Sequence, residues 1–422
     1  MRKRYAVPSA AAFFLAMPNA IYPSFADLRS LFVFAISHFV VDFVCAFLLF
    51  RLTALGAIPD DKIVWTYTLY NLLAFGLEIG IGVCFSERSA RLASALGCVL
   101  LMSGVLLASC AARAISFSGV DVLAASPNVI TNFALPSELA RLYRLSFWAT
   151  LCVGIGNAFF HVGGGIDSLA RNTGGYWRSG VFIAPGSLGL AFGGLLGREL
   201  NSWATFELLS GAIAICGLLI WSCCGCRTAS ETDKSDVSFP AYLNWRFSAR
   251  AFVLVASLFI IFTRSSVGFI APELQTESSH PLPSAIMLAF GAFCGKFLGG
   301  ILADVCGARA IGALSLFAAI PALCYSANAY FFLIGVVFLN MSTSITLVET
   351  SRSYGGKLGV AFGLTTLVLL VGYFTLSPIR GLLDGGALRT VRYICVATLA
   401  LSGGFAYYIG RKKACYRRVS DG

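Results

Sequence analysis

The feature that most constrains this chain is its recurring apolar run. Twelve stretches of roughly 20 residues are nearly free of charge, at 30–50, 63–85, 89–112, 145–165, 179–198, 203–225, 250–271, 284–304, 308–327, 329–349, 358–379 and 391–410. A helix needs about 20 apolar residues to cross the hydrocarbon of a bilayer, and lipid obliges each crossing segment to satisfy its own backbone hydrogen bonds. Of the 422 residues 58% are hydrophobic and 12% are charged, whereas a water-soluble domain carries about 25% charged residues. That balance excludes a soluble globular fold, and it excludes a disordered chain, which needs low hydrophobicity and high net charge. The expectation is an all-α polytopic membrane protein with twelve transmembrane helices.

The gaps set the organisation. Residues 227–249 form the longest polar and charged stretch and read as a linker between two six-helix bundles, 30–226 and 250–410. Residues 1–29 read as an N-terminal cytoplasmic segment and 411–422 as a basic cytoplasmic tail. The gap from Arg113 to Arg144 is more apolar and suits a short surface helix. With the N-terminus cytoplasmic, 20 of the 31 Lys and Arg fall in inner segments and 9 in outer ones, leaving Arg264 and Lys296 within spans. Cytoplasmic loops are enriched in Lys and Arg, so both termini are expected inside, with the protein multi-pass in a plasma or inner membrane. The first residues also look like a secretory signal peptide. Pro8, Pro18 and Pro23 argue against an additional helix there, and cleavage would reverse the charge bias, so an inner-surface segment is expected.

Small residues four apart let membrane helices approach closely. Pairs of Gly at this spacing fall at Gly76/Gly80, Gly189/Gly193/Gly197, Gly291/Gly295/Gly299 and Gly359/Gly363, which are spans 2, 5, 8 and 11 and no others. The period of three helices is the internal symmetry expected of transporters. A second echo links the halves: Gly300-Ile-Leu-Ala-Asp304-Val-Cys-Gly307-Ala-Arg309 follows span 8, and Gly82-Val-Cys-Phe-Ser86-Glu87-Arg88-Ser-Ala-Arg91 follows span 2. Asp304 and an Arg can form a charge-assisted contact that holds neighbouring helices in one conformation and releases them in another, so Gly300, Asp304, Gly307, Arg309 and Arg91 are candidate gate residues.

These loops resemble the signature of the major facilitator superfamily, Gly-x-Leu-Ala-Asp-x-x-Gly-x-Arg. The copy at 300–309 matches well, while the copy at 82–91 has Ser86 where the acid is expected. The resemblance implies two pseudo-symmetric six-helix bundles of the major facilitator type, with spans 1, 4, 7 and 10 lining a central cavity and spans 2, 5, 8 and 11 at the seam. Ser37-His38-Phe-Val-Val-Asp42 in span 1 and Gly154-Ile-Gly156-Asn157-Ala-Phe-Phe-His161 in span 4 are similar to the fosmidomycin-resistance type of exporter, although Val162 stands where that pattern has Pro. That resemblance implies export of a small drug-like or anionic compound in exchange for protons.

An ionisable group at the centre of a span costs at least about 2.5–3.5 kcal/mol, so each needs a reason. His38 and Asp42 share a face of span 1, as do Asn157 and His161 of span 4. His38, Asp42 and Glu78 are candidates for proton coupling, because a buried His or acid changes charge when a proton arrives. Asn157, His161, Arg264, Asn340 and Ser344 are candidate cavity residues, with Arg264 placed either to neutralise Asp42 or to bind an anionic group of a solute. Uptake of an organic acid would use Arg264 equally well. Lys296 and Glu349 are expected to snorkel from span ends.

The expected partners are a small-molecule solute, protons and the lipid bilayer, with the protein a monomer. Signatures of hydrolases, phosphate loops and dinucleotide sites are missing, so no enzyme activity and no cofactor are expected, an intramembrane enzyme acting on a lipid-linked substrate being the lesser alternative. Three His leave little room for a metal centre, and most of the 14 Cys lie in apolar runs as small buried hydrophobes. The net charge of +11 is distributed among short gaps rather than gathered on one face, which argues against nucleic acid.

Overall fold

The computed structural model describes residues 25–117, 136–172, 175–200, 204–223, 247–275, 284–325, 328–376 and 385–410. The linker at 227–246, the tail beyond 410, the first 24 residues and the centre of the gap after span 3 lie outside the described residues. Twelve helical segments follow in order: α1 (Phe25–Ala54), α2 (Asp60–Cys84), α3 (Ala90–Phe117), α4 (Pro136–Ala170), α5 (Trp177–Glu199), α6 (Ala204–Cys223), α7 (Phe247–Ile270), α8 (Ala285–Cys306), α9 (Ala308–Cys324), α10 (Ala329–Tyr354), α11 (Leu358–Leu376) and α12 (Gly385–Ile409). Ten are long and apolar enough to cross a membrane. Of the others, α9 has 17 residues and α12 carries Arg389 and Arg392 near its start. Each expected span is a helix. The largest difference in bounds is at α4, which begins at Pro136 rather than near 145.

Local chemistry fixes several ends. Asn328 accepts hydrogen bonds from the backbone N–H groups of Tyr330 and Phe331 at 2.9 and 3.1 Å, capping α10, and Ser284 accepts from Met287 at 3.3 Å, capping α8. Gly307, at φ +96°, separates α8 from α9 in a conformation that a residue with a Cβ rarely adopts. Helix α2 is not uniform. A π-helical turn, Leu72–Gly76, interrupts it one residue before Glu78, and such turns re-aim the residues that follow them.

Helix packing repeats with a shift of six. Helix α1 packs on α4, α5 and α6, α3 on α4 and α6, and α2 on α4. In the second half α7 packs on α10, α11 and α12, α9 on α10 and α12, and α8 on α10. The contacts between halves obey the same shift: α5 meets α8 as α11 meets α2, and α4 meets α11 as α10 meets α5. Helices α2, α5, α8 and α11 therefore form the seam. The apolar core of the first bundle runs into the second through Ala303, Ala308, Ile345, Leu347, Val348, Leu358 and Phe362, while the second has a separate core around Val253, Ile260, Leu316 and Leu399.

The glycine pairs do not act as one set. Gly189, Gly193 and Gly197 of α5 lie against the backbone of Phe39, Phe43 and Phe47 in α1, and Gly291, Gly295 and Gly299 of α8 lie against Leu333, Val337, Asn340 and Met341 in α10. Both sets work inside a bundle, which corrects the expectation that they line the seam. Gly359 and Gly363 of α11 do cross it, against Gly82 and the backbone of Glu78 and Ile79. Gly76 and Gly80 have no atom within 4 Å of where a Cβ would sit, so they take no part in the contact that Gly82 and the backbone of Glu78 and Ile79 make.

Candidate functional site

A chain of buried hydrogen bonds starts in α1 and ends across the seam. His38 Nδ1 lies 2.8 Å from the carbonyl of Phe182 in α5, and His38 Nε2 lies 3.2 Å from Asp42 Oδ2. Asp42 Oδ1 is 3.2 Å from His161 Nε2, and His161 Nδ1 is 3.2 Å from Glu78 Oε1. Thr366 of α11 donates to Glu78 Oε2 at 2.5 Å. His38, Asp42, His161 and Glu78 are 7%, 4%, 5% and 0% exposed, so these links are shielded from bulk solvent.

Sequence and packing both shape this chain. The four-residue spacing of His38 and Asp42 puts them on one face of α1. The π-helical turn precedes Glu78, which faces α4 and α11. Pro185 interrupts the hydrogen-bond ladder of α5. The next residue, Gly186, leaves space that a Cβ would take from Asp42 Oδ2 and from the His38 ring. The rings of His38 and His161 stand edge to face at 4.7 Å, with Phe160 and Phe182 around them.

Geometry dictates the proton content. A carbonyl only accepts, so His38 Nδ1 carries hydrogen, and each of the other three imidazole nitrogens faces a carboxylate oxygen across 3.2 Å. Each link needs one proton between its two heavy atoms. The donor atoms of His38, Asp42 and His161 lie within 4.8 Å of one another. Each of these imidazole nitrogens is paired directly with a carboxylate oxygen at hydrogen-bond distance, which is the arrangement that holds and passes protons.

Arg264 stands apart. It is buried in α7 at 7% exposure, its Nε has no hydrogen-bond partner, and no carboxylate among the described residues pairs with it. The expected Arg264–Asp42 neutralisation is thus not made, because both oxygens of Asp42 are taken by the two His. Lys296, midway along α8, donates to Ser187 of α5 at 2.6 Å and lies within electrostatic reach of Arg264 and Asp42. It bridges the seam rather than snorkelling. Asn157 donates to the Tyr70 hydroxyl at 3.0 Å rather than bonding His161, and its Oδ1 has no partner. On α10, Asn340 bonds back to Val336, and the buried Ser344 hydroxyl is unpartnered. Buried side-chain atoms without a hydrogen-bond partner thus lie on α4, α7 and α10, three of the four expected cavity helices, and also on α2 at Thr66 and on α12 at Ser402.

The seam is closed at the end where α1 begins and α12 ends. Asp304 accepts from the backbone N–H groups of Tyr176 and Trp177 at 2.9–3.0 Å, capping the N-terminus of α5 with a carboxylate. The Tyr176 hydroxyl donates to Glu349, and Arg352 donates to both Tyr176 and Glu349, at 2.9 and 2.8 Å. Glu349, at 0% exposure, is locked in this network and does not snorkel. Gly300 packs against the backbone of Tyr176 and Trp177. The equivalent Gly82 packs against Gly359, and there Lys357 donates to the Val83 carbonyl at 2.6 Å, at the loop where Ser86 replaces the acid. Arg309 and Arg91 do not contact Asp304. Arg309 donates to the Gly410 carbonyl at 3.3 Å and covers the Tyr407 ring, while Arg91 covers Trp221. The helix terminus supplies a better partner for Asp304 than the expected Arg.

Nothing in the sequence marks Tyr176, Thr366, Ser187 or the Phe182 carbonyl as members of these networks. Lone hydroxyls and a carbonyl carry no spacing signal.

Two six-helix bundles related by a shift of six, joined through α2, α5, α8 and α11, define the fold of major facilitator superfamily transporters. The structure is similar to that of a single-residue variant of the Escherichia coli fucose:proton symporter FucP, with a TM-score of 0.65 at 12% identity over 92% of this chain and 100% of that one. It is also similar to FucP in its outward conformation, with a TM-score of 0.54 at 13% identity over 90% and 100% of the two chains. No protein-family description matches this chain, and no curated protein matches it.

Proposed function

We propose that this protein is a proton-coupled secondary transporter of a small organic anion, working by alternating access. The observation that carries the reading is the hydrogen-bonded chain from His38 to Glu78, which ends on Thr366 of the opposite bundle. The chain passes a change of proton content on to Glu78, whose bond with Thr366 joins the two bundles. Charge changes at a buried site bias a two-state element, which is the requirement for coupling. The unpaired Nε of Arg264 supports an anionic solute.

The charge bias of the loops supports both termini in the cytoplasm, in a plasma or inner membrane, and then the closed end is the inner one. In this reading Asp304, Gly300 and Gly307 form the inner gate with Tyr176, Glu349 and Arg352. Export in exchange for protons is the direction that the similarity to fosmidomycin-resistance exporters carries, and the charge balance at the centre of the molecule favours the inward one. One of the two similar structures is named as that of a fucose:proton symporter, in line with a proton as coupling ion. Purified protein in liposomes should accumulate a member of a labelled organic-acid panel when a pH gradient is imposed, and Asp42→Asn should abolish the pH dependence. Flux that ignores the gradient, or no flux across the panel, contradicts the reading.

A further inference from the structure

The charges at the centre of the molecule fall into two sets that lie within reach of each other. One is the proton chain, to which α1 contributes His38 and Asp42, α2 Glu78, α4 His161, α5 the Phe182 carbonyl and α11 Thr366. Tyr70 and Cys45 are the other titratable groups beside Asp42. The second set is cationic: Arg264 of α7, without a carboxylate among the described residues, and Lys296 of α8, which donates to a hydroxyl of α5.

Counting protons joins the two. The four links are filled by four protons, either with both imidazoles cationic beside two carboxylates or with both neutral beside two carboxylic acids. In both cases the chain is uncharged. With two protons fewer, the imidazoles are neutral, both acids are ionised and the chain carries a charge of −2. The cationic pair is always +2 when Lys296 is charged. In a low-dielectric interior an uncompensated charge is costly, so the favourable states are those whose total is near zero. A protonated chain leaves +2 to be met by a solute, and a deprotonated chain meets it with Asp42 and Glu78 and leaves the solute site without a demand for charge. The two mixed states, protonated and empty or deprotonated and filled, each carry two unbalanced charges.

We propose that the cavity takes a dianionic organic acid together with two protons, so that solute and protons are loaded and released as one electroneutral set. This is symport, and it rests on the proton-coupled reading above. Arg264 and Lys296 hold the two anionic groups, Lys296 leaving the Ser187 hydroxyl to do so. Because Lys296 reaches across the seam, the solute replaces a contact between the bundles as well as a charge. The protons enter the links between His38, Asp42, His161 and Glu78, and leave from them when the solute departs.

The test is calorimetric binding of succinate, fumarate and inorganic phosphate, with acetate and lactate as monoanions, to the purified full-length protein in two buffers of different ionisation enthalpy. The difference between buffers gives protons exchanged per anion bound. The expected result is a dianion that binds with about two protons taken up, at least tenfold tighter than the monoanions. Lys296→Gln should weaken that binding at least tenfold and reduce the uptake toward one proton, while Lys296→Arg should retain both. Proton release on binding overturns symport, one proton taken up with a monoanion overturns the two-charge site, and no binding by any dianion of the panel overturns the solute class. Flux in liposomes separates this from the transport reading: flux without proton uptake on binding sinks only the symport proposal, and two-proton binding without any flux sinks only transport.

Discussion

Tyr176→Phe removes one oxygen atom from the network that fastens α5 to α10 at the closed end. The hydroxyl lies between Glu349, which is fully buried, and Arg352, and both partners stay bonded to each other when it is gone. A hydrogen bond to a charged group is worth about 1.5–3 kcal/mol. The loss falls on the closed-end conformation alone, because opening this end takes Tyr176 away from the opposite bundle in the wild type as well. Opening should therefore become roughly 10- to 150-fold more frequent. The amide hydrogens of Tyr176 and Trp177, held by Asp304 in the structure, report that opening directly through hydrogen exchange. They should exchange faster in the variant by the same factor, while amides in the middle of α3, remote from the seam, keep their wild-type rates. Unchanged exchange at Tyr176 and Trp177, or acceleration spread evenly over all helices, would refute the reasoning.

Two glycines give contrasting expectations. Gly186→Ala puts a methyl group into the Asp42 carboxylate and the His38 ring, so pH-driven flux should fall at least tenfold, with a stability loss of about 1–3 kcal/mol in a chemical-denaturation series. Gly211→Ala, with open space around it, should leave flux unchanged and is the control.

What the sequence discloses depends on how far a signal travels along the chain. Span positions are legible because hydrocarbon thickness imposes a length on each helix, and the ends differ mainly where a helix projects beyond the apolar run, as at Pro136 of α4. The pairing of His38 with Asp42 is legible because four residues separate them on one helix. The extension of that pair through His161 to Glu78 is not, since it depends on how α1, α2 and α4 meet. The loop motif marks Asp304 as a gate residue and points to a side-chain partner, but the partner is the pair of free N–H groups at the start of α5. The small-residue pattern predicts close helix pairs without saying which neighbour each pair touches. The resemblance to the major facilitator superfamily puts the helices of Gly189/Gly193/Gly197 and Gly291/Gly295/Gly299 at the seam, and they are there, but these glycines face the other way and serve within the bundles.

The central claim is that protons on the buried chain set which end of the molecule is open. Spin labels at Leu200, at the end of α5, and at Met287, at the start of α8, occupy exposed positions on opposite bundles at the end away from Asp304. Their separation, measured by pulsed electron resonance across pH 5 to 9 without any solute, should shorten as pH rises, because deprotonation leaves acceptor facing acceptor in the chain and releases Glu78 from His161. The double variant Asp42→Asn, Glu78→Gln should show no such shift. A distance distribution indifferent to pH in the wild type, or a shift of equal size in the variant, would contradict the account.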